Sequence, residues 1–455
     1  KLPSAFSKSI GFTLCGMALE PTSPFFVFCL IGFFLLIGIA ATFSSEEPKV
    51  VASNSVLVLD LSNEFLEQVQ NDPISEIVNK RNGKSPSLSE LVRLIAHAKK
   101  DDAIKGIYIK CQQNPNGYAA SEEIRKALLD FSSSKKFVIA YGETITQKAY
   151  MVANAANAIY THPQGGIEWN GFSYESLFLK GLLDKLEIEP QVFYAGKFKS
   201  ATEPFRYTQM SEANKLQTNV WISGLYDQFI SNTARQRNLN VDSLKYLANQ
   251  GSIQTAFDAS KHGLVDGLLY DDQVKKMIAK KLRQDDQQDI AFLSMGDYAS
   301  TVALRGTGSG KVAVVYANGD VVMGKNQQDA IASDDFRVLL QKIRKDESID
   351  AVVLRVNSPG GSALASDIIW REIDLLKKEN EKWIFLINDV MYYKGKNIVT
   401  NDFMQRQEVI NDFLENALKY FRYFLQEKIV HVDGGNYGIW SLKIARSASW
   451  PPCQF

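Results

Sequence analysis

The sequence lacks a net charge, and its cysteines and histidines are few. With 51 Lys+Arg against 51 Asp+Glu among 455 residues, the formal net charge is +0, so no global attraction to polyanions favours nucleic acid as a partner. The cysteines are too scattered for a metal or redox motif, and no histidine stands beside a nucleophile-like serine motif. These residues are Cys15, Cys29, Cys111, Cys453, His97, His162, His262 and His431. The sequence therefore gives no sign of a metal site or a nucleotide cofactor.

One long apolar run lies near the start of the chain. Residues 25–43 carry no charge, and a helix of this length nearly matches a hydrocarbon core of ~30 Å. A cleaved signal peptide is the alternative, because Ala40 and Ala41 resemble a small-residue cleavage site. Lys1 precedes the run and orients residues 1–24 toward the cytoplasm. We predict a single membrane anchor, with the bulk of the chain on the far side of the membrane.

The remainder of the chain alternates apolar strand patterns with helical patterns, and it does so twice. A strand pattern over 56–61 is followed by helical spacing over 88–98. The stretch 104–122 then parallels 349–367 at an offset of about 245 residues. Strands that alternate with helices predict a parallel sheet, and self-similarity at so long a period predicts a domain duplication rather than a solenoid.

These patterns give the predicted organisation of the chain, a tandem pair of α/β domains after one transmembrane helix. The second copy follows the pattern of the first only to about residue 390 and is therefore incomplete. The predicted segments are a cytoplasmic segment 1–24, an anchor 25–43, a first domain 54–283, a linker 284–310, the start of a second domain 311–392, and a divergent carboxy-terminal segment 393–455.

The segment Asn357–Gly361 is a candidate anion-binding turn. It follows a buried-type strand and precedes a helical pattern, for which Ser366 or Asp367 is the predicted N-cap. Paired glycines at such a turn expose backbone N–H groups near a helix start, where they can hold a developing oxyanion. A plain strand-to-helix turn is the alternative.

A second unusual segment, Tyr194–Phe205, contains two lysines. Lys197 and Lys199 are surrounded in sequence by Phe198 and Phe205, which predicts that one lysine is buried. Burial disfavours the ammonium form and makes a lysine a candidate general base. A solvated surface lysine is the alternative.

Together these features resemble the signal peptide peptidase A family in its long, duplicated, membrane-anchored form, also called protease IV, within the Clp-protease/crotonase superfamily. The resemblance covers roughly residues 25–390 and rests on the duplication, the anchor and the segments 199–205, 354–362 and 263–266. Family members are serine endopeptidases that degrade cleaved signal peptides with a Ser–Lys dyad.

The resemblance implies roles for particular residues and a setting for the chain. Lys199 becomes the general base, Gly360 and Gly361 belong to the oxyanion loop, and Lys197 does not match the catalytic position. The substrates would be signal peptides or other apolar peptides, and residues 25–43 would contact the lipid bilayer. The family further implies a homo-tetramer in the bacterial inner (cytoplasmic) membrane, with the catalytic part on the periplasmic side.

The nucleophilic serine that the family requires is not found in this chain. Alignment on the family pattern puts Tyr393 at the nucleophile and Lys394 on the first of two glycines, while the first copy has Gln147 there. Tyrosine does not fit, because its phenol has a pKa of ~10 and its ring is bulky. We favour a reading-frame change as the origin of 393–455, and a genuine amphipathic helix is the alternative.

Three functions remain open. The first is a membrane-anchored serine endopeptidase, and the second is a catalytically inactive relative that binds peptides or assembles with active subunits. The third is a crotonase-like acyl-CoA enzyme, because the oxyanion turn is shared. The segment 199–205 and the anchor both argue against the third.

Overall fold

The computed structural model describes most of the chain between residues 51 and 379 and short strands beyond it. The described ranges are 51–68, 85–284, 289–304, 310–325 and 329–379, with strands at 383–385, 387–388, 392–393, 396–397 and 441–442. The predicted anchor and most of the divergent carboxy-terminal segment lie outside these ranges. Within the described part of the chain, no helix combines the length and the apolar character needed to cross a membrane.

The first lobe, residues 51–304, is built on a six-stranded parallel sheet. Its strand order is β5-β4-β3-β2-β1-β6, and every neighbouring pair runs parallel. The strands are β1 (Ser55–Asp60), β2 (Ile104–Lys110), β3 (Phe137–Ile145), β4 (Ala158–Ile167), β5 (Gly267–Leu268) and β6 (Phe292–Ser294). The predicted α/β class with a parallel sheet is confirmed.

In the described residues of this lobe, ten α-helices connect and cover these strands. They are α1 (Leu88–Ala98), α2 (Tyr118–Ser132), α3 (Gln147–Ala153), α4 (Lys180–Lys185), α5 (Glu203–Arg206), α6 (Glu212–Arg237), α7 (Val241–Asn249), α8 (Ala256–Lys261), α9 (Asp271–Lys281) and α10 (Met295–Thr301). Helix α1 has the predicted bounds, because Ser87 caps it by accepting a hydrogen bond from the Glu90 N–H. Its apolar residues then recur at helical spacing and pack into the core.

The sheet of the first lobe is covered on both faces. Alternate residues of a strand point to opposite faces, so Leu57 and Ile107 enter one core while Val56 and Tyr108 enter the other. Helix α9 closes the second core with residues that include Val274. Burial on both faces accounts for the nearly continuous apolar character of these strands.

The second lobe, residues 310–385, contains a smaller parallel sheet of order β11-β10-β7. Its elements are β7 (Lys311–Asn318), β8 (Asp320–Val322), β9 (Ala330–Ala332), α11 (Ser333–Lys345), β10 (Ile349–Asn357), α12 (Ala363–Glu379) and β11 (Trp383–Phe385). Beyond it lie β12 (Ile387–Asn388), β13 (Tyr392–Tyr393), β14 (Lys396–Asn397) and β15 (Ser441–Leu442). Val56 pairs with Gly106 in the first sheet, and Val312 pairs with Ala351 in the second, each just after a register irregularity.

The predicted linker 284–310 is wrong for much of its length. Strand β6 pairs with the outer edge of β1, and α10 packs beside it, so the first lobe extends to residue 301. The fully buried Tyr298 donates a hydrogen bond to Asp101 Oδ2 at 2.9 Å, and its hydroxyl lies 2.8 Å from His97 Nδ1. The chain returns here because β1 would otherwise present an unpaired edge.

Loss of the Tyr298 hydroxyl should therefore destabilise the first lobe. We expect Tyr298→Phe to lower the free energy of unfolding by roughly 1–2 kcal/mol, since it removes a buried donor to a carboxylate. The measurement is urea unfolding of the full-length chain in detergent. Tyr246→Phe is the control, because that ring is 62% exposed and its loss of a hydroxyl should change little. Equal stability of the two variants would contradict the assignment of α10 to the first lobe.

Candidate active site

The predicted glycine turn is tied to strand β8. The Val321 N–H donates to Gly360 O at 2.9 Å, and the Ser362 N–H donates to Val321 O at 2.8 Å. Gly360 and Gly361 have φ values of 109° and 152°, in the region that favours glycine. A Cβ at Gly361 would lie 2.1 Å from Val321 O, so the approach to β8 itself requires glycine.

This pairing fixes where the backbone donors of the turn point. Gly360 O, which accepts from Val321, and the Gly361 N–H belong to the same peptide group. In a trans peptide group the C=O and the N–H point in opposite directions. The Gly361 N–H therefore points away from β8, whereas the Gly360 N–H donates to Ser358 Oγ at 3.1 Å. Such an outward N–H just before a helix is the kind of donor that an oxyanion needs.

The helix after the turn begins earlier than predicted. Helix α12 starts at Ala363, and Ser362 Oγ accepts a hydrogen bond from the Ala365 N–H at 3.3 Å. The predicted N-cap at Ser366 or Asp367 is wrong. The bridge of Gly361 to β8 ends the turn at Ser362, and the helix follows at once.

The corresponding turn of the first lobe is filled by asparagine side chains. Asn116 Oδ1 accepts from the Phe65 N–H at 2.7 Å, and Asn116 Nδ2 donates to Asn63 O at 2.9 Å. Asn114 Nδ2 donates to Ser121 Oγ at 2.9 Å. Both asparagines are buried, so the polar groups of this turn are used for structure.

Gln147, which aligns with the family's nucleophile in the first copy, is also engaged in structural contacts. It is the first residue of α3, and its Nε2 donates to Gly171 O at 2.9 Å. Its Oε1 accepts from the N–H groups of Asn170 at 3.0 Å and Gly171 at 3.3 Å. The side chain joins α3 to the loop after β4, and it has no nucleophilic group.

Lys199 lies on the surface, and the prediction of a buried lysine in this segment is wrong within one protomer. Lys197 and Lys199 are both exposed, and Phe198 and Phe205 are 48% and 41% exposed. The segment crosses the outside of the first lobe, and no element of the described ranges covers its phenylalanines. Among the described residues, no hydrogen bond or ion pair joins Lys199 to the glycine turn.

The backbone that carries Lys199 is nevertheless firmly held. Ser200 Oγ accepts from Gln217 Nε2 at 2.8 Å, in the first half of α6. The buried Glu203 accepts from Ser211 Oγ at 2.5 Å and from Asn214 Nδ2 at 2.9 Å. Burial alone would raise the pKa of Glu203, but the hydrogen bonds from Ser211 and Asn214 lower it below its usual value. Sequence patterns did not single out this carboxylate.

The histidines of the first lobe have structural roles. His97 contacts Tyr298, His162 Nδ1 accepts from the Gln164 N–H at 3.0 Å, and His262 ends α8. Over the described ranges, no group of three His, Cys, Asp or Glu side chains is placed to hold a metal ion.

Residues 130–285 match the model for Peptidase family S49. The chain carries an S49 peptidase domain. Protease 4 of Haemophilus influenzae is 29% identical over 367 residues, which are 76% of this chain and 60% of that protein. The chloroplastic serine protease SPPA of Arabidopsis thaliana is 28% identical over 325 residues, which are 70% and 48% of the two chains. Both relatives are named as proteases, and this chain is similar to them over those residues.

The chain spans only about half to three-fifths of the length of these S49 relatives. Among solved structures, the 1510-N membrane-bound stomatin-specific protease is 14% identical and covers 53% of this chain, but its TM-score of 0.29 adds nothing to the assignment. The S49 match includes Gln147 and Lys199 and ends before the glycine turn. The roles of Lys199, Gly360 and Gly361 therefore stay predictions.

Substitution of Gly361 should distort the turn. We expect Gly361→Ala to destabilise the chain by roughly 1–3 kcal/mol, because the new Cβ meets Val321 O and φ is strained for an L residue. Gly117→Ala is the matched control in the first lobe, where φ is −62° and nothing lies within 4 Å of a new Cβ. Thermal unfolding compares the two variants, and an equal change would contradict this account of the turn.

The charge on Glu203 should stabilise the Lys199 segment in a pH-dependent way. Its folded-state pKa is lowered from 4.5, so its contribution is complete above the unfolded pKa and is lost as pH falls through the folded value. We expect Glu203→Gln to cost roughly 1–3 kcal/mol at pH 7 and less below about pH 4. Urea unfolding as a function of pH measures the difference.

Glu212→Gln is the control for this pH dependence, because the Glu212 side chain is 90% exposed and pairs only with Lys215 at 2.7 Å. Its loss should change stability by less than about 1 kcal/mol at any pH. A pH-independent cost for Glu203→Gln would show that packing, and not the carboxylate charge, holds the segment.

Proposed function

We propose that this chain is built as a membrane-anchored serine endopeptidase of the S49 type, for cleaved signal peptides or other apolar peptides, and that its nucleophilic serine has been lost. The observation that carries the proposal is the outward N–H of Gly361 at the start of α12. The matching turn of the first lobe is joined to the segment after β1 by the Asn116 side chain, whereas the second lobe makes its connection to β8 through the backbone on either side of Gly361.

In the proposed reaction, the amine of Lys199 accepts the proton of a nucleophilic hydroxyl as its oxygen adds to the scissile carbonyl. The Gly361 N–H binds the oxyanion that forms, with Gly360 in the same loop. The proton then passes to the leaving amine as the peptide bond breaks and the acyl-enzyme forms, and water completes the hydrolysis. Lys197 takes no part.

The nucleophile is the component that we propose this chain has lost. Tyr393 occupies the family's nucleophile position in our alignment and lies in β13, which pairs with β14. Its first-lobe counterpart, Gln147, begins a helix. A residue in a short strand does not receive the N-terminal helix environment that Gln147 has, and this difference supports the proposed loss.

A duplicated domain fits the two lobes. Strands β1 and β2 pair in parallel, as do β7 and β10, and each pair has a register irregularity at the same place. In each sheet the next strand, β3 or β11, lies on the other side of β2 or β10. Val56 corresponds in this register to Val312, and Lys110 to Arg355. We propose that both lobes descend from one ancestral domain.

A second copy of the chain would enclose the Lys199 segment, in keeping with the homo-tetramer that the resemblance implies. The surface around that segment is unusually apolar for a protein exposed to water. Its exposed side chains are Leu177, Leu182, Leu186, Ile188, Phe193, Tyr194, Phe198, Phe205, Leu216, Val220 and Trp221. We assign residues 25–43 to the lipid bilayer, at the bacterial inner membrane, with both lobes on the periplasmic side.

A catalytically inactive subunit is the second candidate. It is favoured by the lack of a serine at both corresponding positions, Tyr393 and Gln147. Such a subunit would still bind apolar peptides or assemble with active copies, because neither property requires the nucleophile.

Peptide hydrolysis separates the two candidates. We expect the full-length chain in detergent to cleave apolar signal-like peptides no faster than its Lys199→Ala variant. The double change Tyr393→Ser and Lys394→Gly should introduce cleavage that Lys199→Ala abolishes and Lys197→Ala, the neighbouring control, leaves intact. Cleavage by the unaltered chain that depends on Lys199 would reveal a different nucleophile, and cleavage that ignores Lys199 would contradict the proposed base.

A further inference from the structure

We propose that Arg355 is a positioning residue that holds the glycine turn of the second lobe against the first lobe. This inference rests on the proposed function, because it concerns a site whose lysine and oxyanion donor belong to different lobes. Arg355 lies on β10, two residues before Asn357, and its side chain leaves its own lobe to reach two carboxylates of the first.

The contact geometry is that of a forked ion pair with two partners. Arg355 Nη2 donates to Glu67 Oε1 at 2.8 Å and to Glu123 Oε1 at 2.7 Å. Arg355 Nε lies 2.6 Å from Glu67 Oε2. The planar guanidinium thereby joins the segment after β1 to the first turns of α2, which a lysine ammonium could not match in geometry.

All three side chains are largely removed from water. The side chains of Arg355, Glu67 and Glu123 are 16%, 15% and 7% exposed. Burial disfavours the charged guanidinium, yet Glu67 and Glu123 raise the pKa of Arg355 above its usual value. Removal of the arginine would leave two buried carboxylates without their cation, and such a loss is strongly destabilising.

The two carboxylates are themselves fixed at the edge of the first sheet. The Phe65 N–H donates to Asn116 Oδ1 at 2.7 Å, and Leu66 O accepts from the Leu88 N–H at 2.9 Å, just before Glu67. Glu123 lies on α2, which starts immediately after the turn that contains Asn116. The ion pairs with Glu67 and Glu123 therefore connect Arg355 to the turn of the first lobe that contains Asn116.

On the other side, Arg355 connects to the open turn of the second lobe. Asn357 follows two residues later, and its Nδ2 donates to Asn318 Oδ1 at 2.8 Å. Asn357 O accepts from the Gly319 N–H at 2.9 Å, and the glycine turn begins there. A displacement of Arg355 would move this turn relative to the Lys199 segment.

The fold itself does not require this contact. The register makes Lys110 the first-lobe counterpart of Arg355, and Lys110 is exposed. At the offset of 245 residues that aligns Ser121 with Ser366, Glu123 corresponds to Ile368. The pairing of Arg355 with Glu123 is thus specific to the junction of the two lobes.

The distance between the lobes tests the proposal without any need for catalysis. Spin labels at Lys126→Cys and Lys342→Cys, both exposed positions, report one lobe each. The buried Cys111 is kept, and the other three cysteines, Cys15, Cys29 and Cys453, are replaced by serine. Labelled chain is diluted with unlabelled chain to suppress distances between copies. The full-length protein in detergent is measured by double electron–electron resonance.

We expect Arg355→Met to broaden the distance distribution and Arg355→Lys to give an intermediate width. Arg125→Met is the matched control, because the Arg125–Glu122 pair is similarly buried, at 8% and 12% exposure, but lies within the first lobe. In the background with Tyr393→Ser and Lys394→Gly, Arg355→Met should lower kcat about 10²-fold with KM unchanged.

A folded Arg355→Met variant with an unaltered distance distribution would overturn the proposal, and so would the same broadening in Arg125→Met. If Arg355→Met fails to fold, Arg355→Lys takes its place: a broader distance distribution than that of the unaltered chain supports the proposal, and an unaltered distribution overturns it. A broadened distance distribution in Arg355→Met, with no cleavage in any background, would support the role of Arg355 in joining the lobes and contradict the proposed function.

Discussion

Parallel pairing of strands is the constraint on which the candidate site depends. Strands β1 and β2 run in the same direction, as do β7 and β10. The carboxyl ends of the strands in a lobe therefore lie on one side of its sheet, and the turns into the helices meet there. The two turns that follow β2 and β10 therefore have equivalent positions. They differ in how they are held, because the Asn116 side chain joins the first turn to the segment after β1, whereas the backbone on either side of Gly361 joins the second turn to β8.

The first lobe uses its equivalent position for stability. Asn114 and Asn116 satisfy the polar groups around their turn, and Gln147 bonds the start of α3 to the loop near Gly171. The two asparagine side chains tie the turn to the segment after β1 and to the start of α2. In the second lobe, the close approach of Gly361 to Val321 uses one side of the turn and leaves the other side open. The two turns are thus held in different ways.

The sequence was sufficient for features that local chemistry determines. The bounds of α1 follow from the Ser87 cap and a 3.6-residue apolar period, and the parallel sheet follows from the alternation of strand and helix patterns. The glycine pair likewise indicated a strand-to-helix turn. Strand β6 was missed because three residues carry no periodic signal, and only its pairing with β1 makes it a strand.

Long-range contacts account for the other misses. The partners of Arg355 are 232 and 288 residues away along the chain, so no local pattern could reveal its role. The exposure of Lys199 has the same origin. The apolar neighbours of a lysine predict burial only if another element covers them, and no element in the part of the chain that the structure describes does so. Its enclosure would therefore depend on assembly, which a single chain's sequence does not display.

The different contacts of the two lobes also bear on the proposed loss of the serine. Because Gln147 holds the first lobe together and has no nucleophilic group, a second-lobe residue must act if this chain follows the family's reaction. A change confined to the segment around Tyr393 would remove the nucleophile and leave intact the six-stranded sheet, the Lys199 segment and the Arg355 contacts, all of which are built from residues before 380. Folding of the first lobe and loss of catalysis are therefore compatible in one molecule. A chain of this kind could retain the surfaces for peptide and partner binding after its chemistry is gone.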